Sequence, residues 1–122
     1  MITNENGDSF LRKGKDTSLT NDIRLTWLKK ALFIFQSLRD KDKFADILWI
    51  MGGLMNAMGK REEGMKLYEL SRAYGAMDEN TFVKNCDSNE FQKYVERPTH
   101  FDSQQGVLLL LDDLKSLADM ST

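Results

Sequence analysis

Two apolar stripes of helical period are separated by only three residues, and that spacing constrains the fold more than any other feature of this chain. Leu48, Met51, Gly52, Met55 and Met58 recur at steps of three and four. Gly59-Lys60-Arg61 interrupts the pattern, and Gly64, Leu67, Tyr68 and Ser71 resume it, with Met65 and Tyr74 at the margins. Such steps put residues on one face of a helix. A break this short leaves two helices no option but to lie antiparallel as a hairpin. Gly59 suits the C-terminal end of the first helix, where a positive φ is needed. The pattern predicts helices over about 44–58 and 62–76, with Glu62 and Glu63 favouring the positive end of the second.

The other segments read the same way. Residues 21–39 form a helix whose Ile23, Trp27, Ala31, Phe35 and Leu38 share a face that Leu28, Leu32 and Ile34 widen. Thr20 or Asn21 caps it, and Asp22 suits its N-terminus. A helix apolar on more than one side expects neighbours on more than one side. Arg39-Asp40-Lys41-Asp42-Lys43 reads as a solvated connector. Residues 75–87 lose periodicity and read as a loop with a turn of helix near 81–85. Asp87-Ser88-Asn89-Glu90 resembles a capping box that opens a short helix to about Glu96, stopped by Pro98. Asp102-Ser103-Gln104-Gln105 opens a last helix with Val107, Leu110, Leu111, Leu114, Leu117 and Ala118 on one stripe. No segment shows the strict alternation of a half-buried strand. Residues 1–20 are polar and read as a flexible tail, with Phe10 and Leu11 its only anchors. The expectation is an all-α domain over 21–122 with about five helices, its C-terminal helix acting as a cap.

Size and charge narrow the function classes. A chain of 122 residues is one domain by length. The net charge is −2, and the one local basic cluster, Arg12, Lys13 and Lys15, is too short for nucleic-acid binding, which needs several phosphates neutralised. Ile47–Met58 is the longest weakly charged run, far below the roughly 20 residues of a membrane span. MITNENGDSF has neither the apolar core nor the early charge of a secretory signal. Cys86 is the single cysteine, so no internal disulfide forms, and a reducing cytoplasmic location is expected.

Catalytic and metal patterns are missing from the sequence. Gly52-Gly53 lacks the preceding strand and following lysine of a phosphate loop. Cys86 and His100 are 14 residues apart with no second pair of ligands, so no zinc site is expected, and neither stands in the context of a cysteine nucleophile. Met51, Met55, Met58 and Met65 at helical spacing read as core filler. Asp112 and Asp113 do not converge on one face. No cofactor, metal or catalytic residue is therefore expected.

Leu48, Gly52, Gly59, Gly64, Tyr68 and Ser71 together resemble the tetratricopeptide-repeat pattern of large and small residues in a hairpin of about 34 residues. Small residues at Gly52 and Gly64 let the backbones approach, and Tyr68 fills the space above them. Lys30-Ala31 and Phe35 look like a partial preceding copy, Ala31 standing 33 positions before Gly64. Gly64 and Ser71 replace the commoner alanines, and Ala76 stands where proline is frequent. The stretch from Ala31 to Met77 also looks like the repeats near the C-termini of large bacterial ATPase-type regulators, which would make it a scaffold or sensor element.

The resemblance implies a peptide groove lined by the first helix of the hairpin. Asp46, Trp49, Gly53 and Asn56 lie off the core stripe of that helix and would face a protein or peptide partner. Trp49 would be the apolar contact, Asp46 and Asn56 the polar ones, and Gly53 a gap for a backbone. The competing place for Trp49 is against the first helix or the tail. Chaperone-binding members of the family grip a terminal carboxylate with lysine and asparagine. Trp49 and Gly53 stand in those places, which disfavours that ligand. The expected function is non-catalytic binding of a protein or peptide. The alternative is a structural subunit that associates with copies of itself through its apolar repeat ends and leucine-rich helix.

Overall fold

A computed structural model describes residues 3–87. The chain is all-α there, with five helices and no strand among the described residues: α1 (Asn4–Lys15), α2 (Asn21–Ser37), α3 (Lys41–Ala57), α4 (Arg61–Ala76) and α5 (Glu79–Cys86). The two helices expected from Asp87 onward, including the leucine-rich cap, lie outside the described residues.

Helices α1 and α2 form one antiparallel hairpin. Gly14, late in α1, meets Leu28, and Gly7, early in α1, meets Phe35 and Ile34. This corrects the expectation of a flexible tail over 1–20. Thr3 caps α1 by accepting from the Asn6 N–H at 3.1 Å, and Arg12, Lys13 and Lys15 suit its negative C-terminal end. Its buried stripe consists of Gly7 and Gly14, seven residues apart, flanked by the partly buried Phe10 and Leu11. A stripe made of glycines gives no apolar signal, which is why periodicity misses this helix.

Helix α2 is buried on nearly every side, including Leu25, Leu28 and every residue from Ala31 to Gln36. It packs against α1 on one side and α3 on another, as its breadth of apolar surface demands. Its end is a Schellman turn. Arg39 adopts φ 58°, its N–H donates to Gln36 O, and the Asp40 N–H donates to Phe35 O at 2.9 Å. Asp40 then caps α3, accepting from the Lys43 N–H at 3.2 Å. The connector is thus tighter than its charge suggests, and α3 begins at Lys41. Lys41 donates to the carbonyl of Gly75 at the far end of α4 at 2.8 Å, and Lys43 pairs with Asp8 of α1 at 3.0 Å.

Helices α3 and α4 form the second hairpin, with Gly59 at φ 81° in the turn. Lys60 and Gly59 donate to Met55 O and Asn56 O, closing a second Schellman turn at the expected glycine. Gly52 and Gly64 face each other. A side chain on Gly64 would meet the Gly52 carbonyl at 2.9 Å, and one on Gly52 would meet Tyr68 at 2.9 Å. At the opposite end of the hairpin the buried Ser71 hydroxyl donates to Ala45 O at 2.7 Å. Removing that donor leaves the Ala45 carbonyl its bond within α3. Ser71→Ala should therefore lower stability by only about 1 kcal/mol in urea unfolding.

The first hairpin does not have the register that Ala31 and Gly64 suggest. Gly64 lies in the first turn of α4, whereas the α2 residue seated on the α1 glycine is Leu28, one turn before Ala31. Gly7 and Gly14 in α1, like Ala45 and Gly52 in α3, are buried and seven residues apart.

The helical turn expected near 81–85 is a two-turn helix, α5, which takes up most of the segment expected as a loop. Asp78 caps it, accepting from the Thr81 N–H at 2.8 Å and the Thr81 hydroxyl at 3.0 Å, and these bonds hold its carboxyl below the ordinary value. Phe82 then enters the core. Its ring centroid lies 5.3 Å from that of Phe44 and 6.0 Å from that of Tyr74, and Phe44 and Tyr74 are 5.0 Å apart. This three-ring cluster ties the start of α3, the end of α4 and α5 together.

Candidate functional site

The buried stripe of α3 runs through Phe44, Ile47, Leu48, Met51, Leu54 and Met55. By the 100° step of an α-helix, Asp46, Trp49 and Gly53 fall on the opposite side. Trp49 is 47% exposed and Asp46 is exposed, so both stand where the sequence places them, off the core.

Among the described residues the ring contact shown for Trp49 is on α4, not on the first helix or the N-terminal segment. Its partner is Tyr68 of α4, with ring centroids 4.3 Å apart and planes tilted by 47°. Tyr68 also covers Gly52, and its hydroxyl lies 3.4 Å from where a Gly53 side chain would begin. The gap expected at Gly53 is therefore partly filled by Tyr68. Asn56 departs further from expectation. Its amide lies directly over Gly64, in the space that the missing side chain leaves, so it packs the hairpin. Of the four predicted positions, the structure leaves Asp46 and Trp49 open, half covers Gly53 and uses Asn56 in packing.

Two residues join the face from α4. Tyr68 braces Trp49, and Met65, one turn before Tyr68, is 56% exposed. The sequence assigns Met65 to the margin of the inner stripe, whereas Tyr74, also at that margin, is fully buried. The signal for Met65 was its place three residues before Tyr68, one turn away on the same side of α4. Met51 and Met55 are core, as expected.

A polar cleft of about 350 Å³ lies elsewhere, lined by Asn4, Leu38, Arg39, Asp40, Lys41, Asp42 and Glu79. Three of its charges are engaged in the fold: Arg39 pairs with Asp87, Lys41 holds the Gly75 carbonyl, and Asp40 caps α3. Among the described residues no three of His, Cys, Asp and Glu cluster to hold a metal ion, and no helix is long and apolar enough to cross a membrane. His100 lies outside the described residues.

Cys86 is buried, and burial pushes its thiol up to about 12, with Arg39 opposing the shift and Asp87 adding to it. The group is a protonated thiol at neutral pH, which is neither a nucleophile nor a metal ligand. Burial also raises Tyr74 above its ordinary 10.0. Both groups ionise more readily unfolded than folded. Their contribution to stability is complete below about pH 9 and declines above it. Above about pH 9 stability should therefore fall as pH rises, and less steeply in Cys86→Ala, which urea midpoints of the two proteins across the alkaline range measure.

No family model matches the chain, and neither the curated proteins nor the solved structures contain a match to it.

Proposed function

We propose that this chain is a non-catalytic module that binds a protein or peptide, with Trp49 as its anchor and the α3–α4 face as its surface. The observation that carries the reading is a large aromatic residue 47% exposed yet held in place by a ring contact with Tyr68. Aromatic anchors of this kind dominate binding energy, and one already held in place loses little freedom on binding. Met65 extends the apolar surface, and Asp46 supplies a charge at its edge. Two stacked hairpins with glycines at their contacts support the tetratricopeptide-like reading, as does the first helix of the second hairpin carrying Trp49. The kinship to bacterial regulator repeats rests on sequence pattern alone. A buried unpaired cysteine fits a cytoplasmic setting.

A second reading is favoured by exposed apolar residues at both ends of the stack, Ile23 at one and Trp49 and Met65 at the other. Open repeat ends need covering, and copies of the same chain would cover them. Light scattering separates the two: a single monomeric mass favours partner binding, and a mass that grows with concentration favours self-assembly.

Selection of a random peptide library against the intact chain tests the main reading. Trp49→Ala should abolish capture of the selected peptides while shifting stability by no more than about 1 kcal/mol, because the ring leaves no cavity behind. Unfolding of the Trp49→Ala chain, or capture that survives it, would overturn the reading.

A further inference from the structure

The opposite end of the stack has a different chemistry. Phe10 of α1 stacks on Trp27 of α2 with centroids 5.3 Å apart. The ammonium groups of Lys13 and Lys30 lie 4.2 and 5.0 Å from the centre of the Trp27 ring. Ile23, one turn before Trp27, is 46% exposed. Ile23, Trp27 and Lys30 occupy the side of α2 opposite Leu25 and Leu32, which are in the core. Of the nearby carboxylates, Asp16 in the α1–α2 turn is engaged by the N–H and hydroxyl of Ser18, and Asp22 is exposed at the start of α2. The result is an apolar surface with two ammonium groups, those of Lys13 and Lys30, over its central ring.

We propose that the chain's own acidic leucine-rich segment, residues 102–119, docks on this α1–α2 end in cis. Charge selects the end. The segment carries Asp102, Asp112, Asp113 and Asp119 against one cation, Lys115. The α3–α4 end presents exposed charges of both signs, Asp46 and Glu69 with Arg61 and Arg72, so the two lysines gathered at Trp27 are the better match. Apolar surface matches as well, since Val107, Leu110, Leu111, Leu114 and Leu117 need cover that Ile23, Trp27 and Phe10 supply. Reach is ample. The described chain ends at Asp87, paired with Arg39 at the C-terminal end of α2. Ile23 lies about 25 Å from there at the helical rise, and the 15 residues from Asp87 to Asp102 extend to about 50 Å. A covalent connection this short also holds the segment at an effective concentration of about the millimolar range, which favours the same chain over a second copy. This docking is independent of partner binding at Trp49, because the two surfaces lie at opposite ends.

A nitroxide at Ser116→Cys in the full chain tests the proposal. Cys86 is buried and protonated, so the label goes to the new thiol. The chain has two tryptophans, so two indole N–H signals report on the two ends. The Trp27 signal should lose most of its intensity with the label oxidised and recover on reduction, while the Trp49 signal is unaffected. Asp112→Lys with Asp113→Lys should restore Trp27 without moving Trp49, which shows that the fold persists. Adding Lys13→Glu and Lys30→Glu should bring the loss back. Loss at Trp49, equal loss at both or loss at neither would overturn the proposal. So would loss at Trp27 of an isotope-enriched, unlabelled chain mixed with the labelled one, which assigns the contact to a second copy.

Discussion

Phe44→Ala should cost about 3–5 kcal/mol, the range for removing a fully buried ring from a packed core. Phe44 has no exposed surface and touches the rings of both Tyr74 and Phe82. Its loss therefore detaches α5 and the end of α4 from the start of α3 together. Whole-domain stabilities are about 5–15 kcal/mol, so the variant should sit near the unfolding threshold. With a urea slope of about 1–3 kcal/mol per molar, the midpoint should fall by about 1 M or more. Leu38→Ala makes a useful comparison, because Leu38 is only partly buried at the end of α2 and should cost much less.

Gly64→Val should also destabilise, for the opposite reason. The first added carbon would stand 2.9 Å from the carbonyl oxygen of Gly52 and against the Asn56 amide. The amide can rotate away, but the carbonyl belongs to a helix and moves only if α3 and α4 separate. Overpacking of this kind costs about 1–3 kcal/mol and more where backbone must shift, against at most about 1 kcal/mol regained from helix propensity. Separation would also lengthen the Ser71 bond to Ala45 and loosen Tyr68 from Trp49. Gly75→Ala is the control on the same helix. There the new carbon would meet Ala45 at an ordinary 3.8 Å, and the change should be neutral or slightly stabilising. Thermal midpoints of the two variants side by side check both statements.

These two positions also show where the sequence is readable. The hairpin of α3 and α4 was legible because large apolar residues and a turn glycine mark it at every step, and Gly52 and Gly64 fell where a close contact was expected. Helix α1 was not legible, because its contact stripe is Gly7 and Gly14, residues that weigh against a helix in any propensity argument. Helix α5 offered one strong apolar residue, Phe82, and its Asp78 cap needed Thr81 three residues later to be noticed. At the candidate site, Trp49 and Asp46 were readable from their departure from the core stripe. Asn56 shares their spacing but has a different fate, because a glycine on the facing helix leaves a hole that only a three-dimensional neighbour reveals. Tyr68 could be placed over the glycines from sequence, but its second contact, with Trp49, could not.

The central claim is that Trp49 is a braced surface anchor for a protein or peptide partner. Its most direct test is affinity capture with the intact chain and with Trp49→Ala, run on samples whose unfolding midpoints agree. The account predicts a partner retained by the intact chain and lost from Trp49→Ala. The same partners recovered with both chains would contradict it.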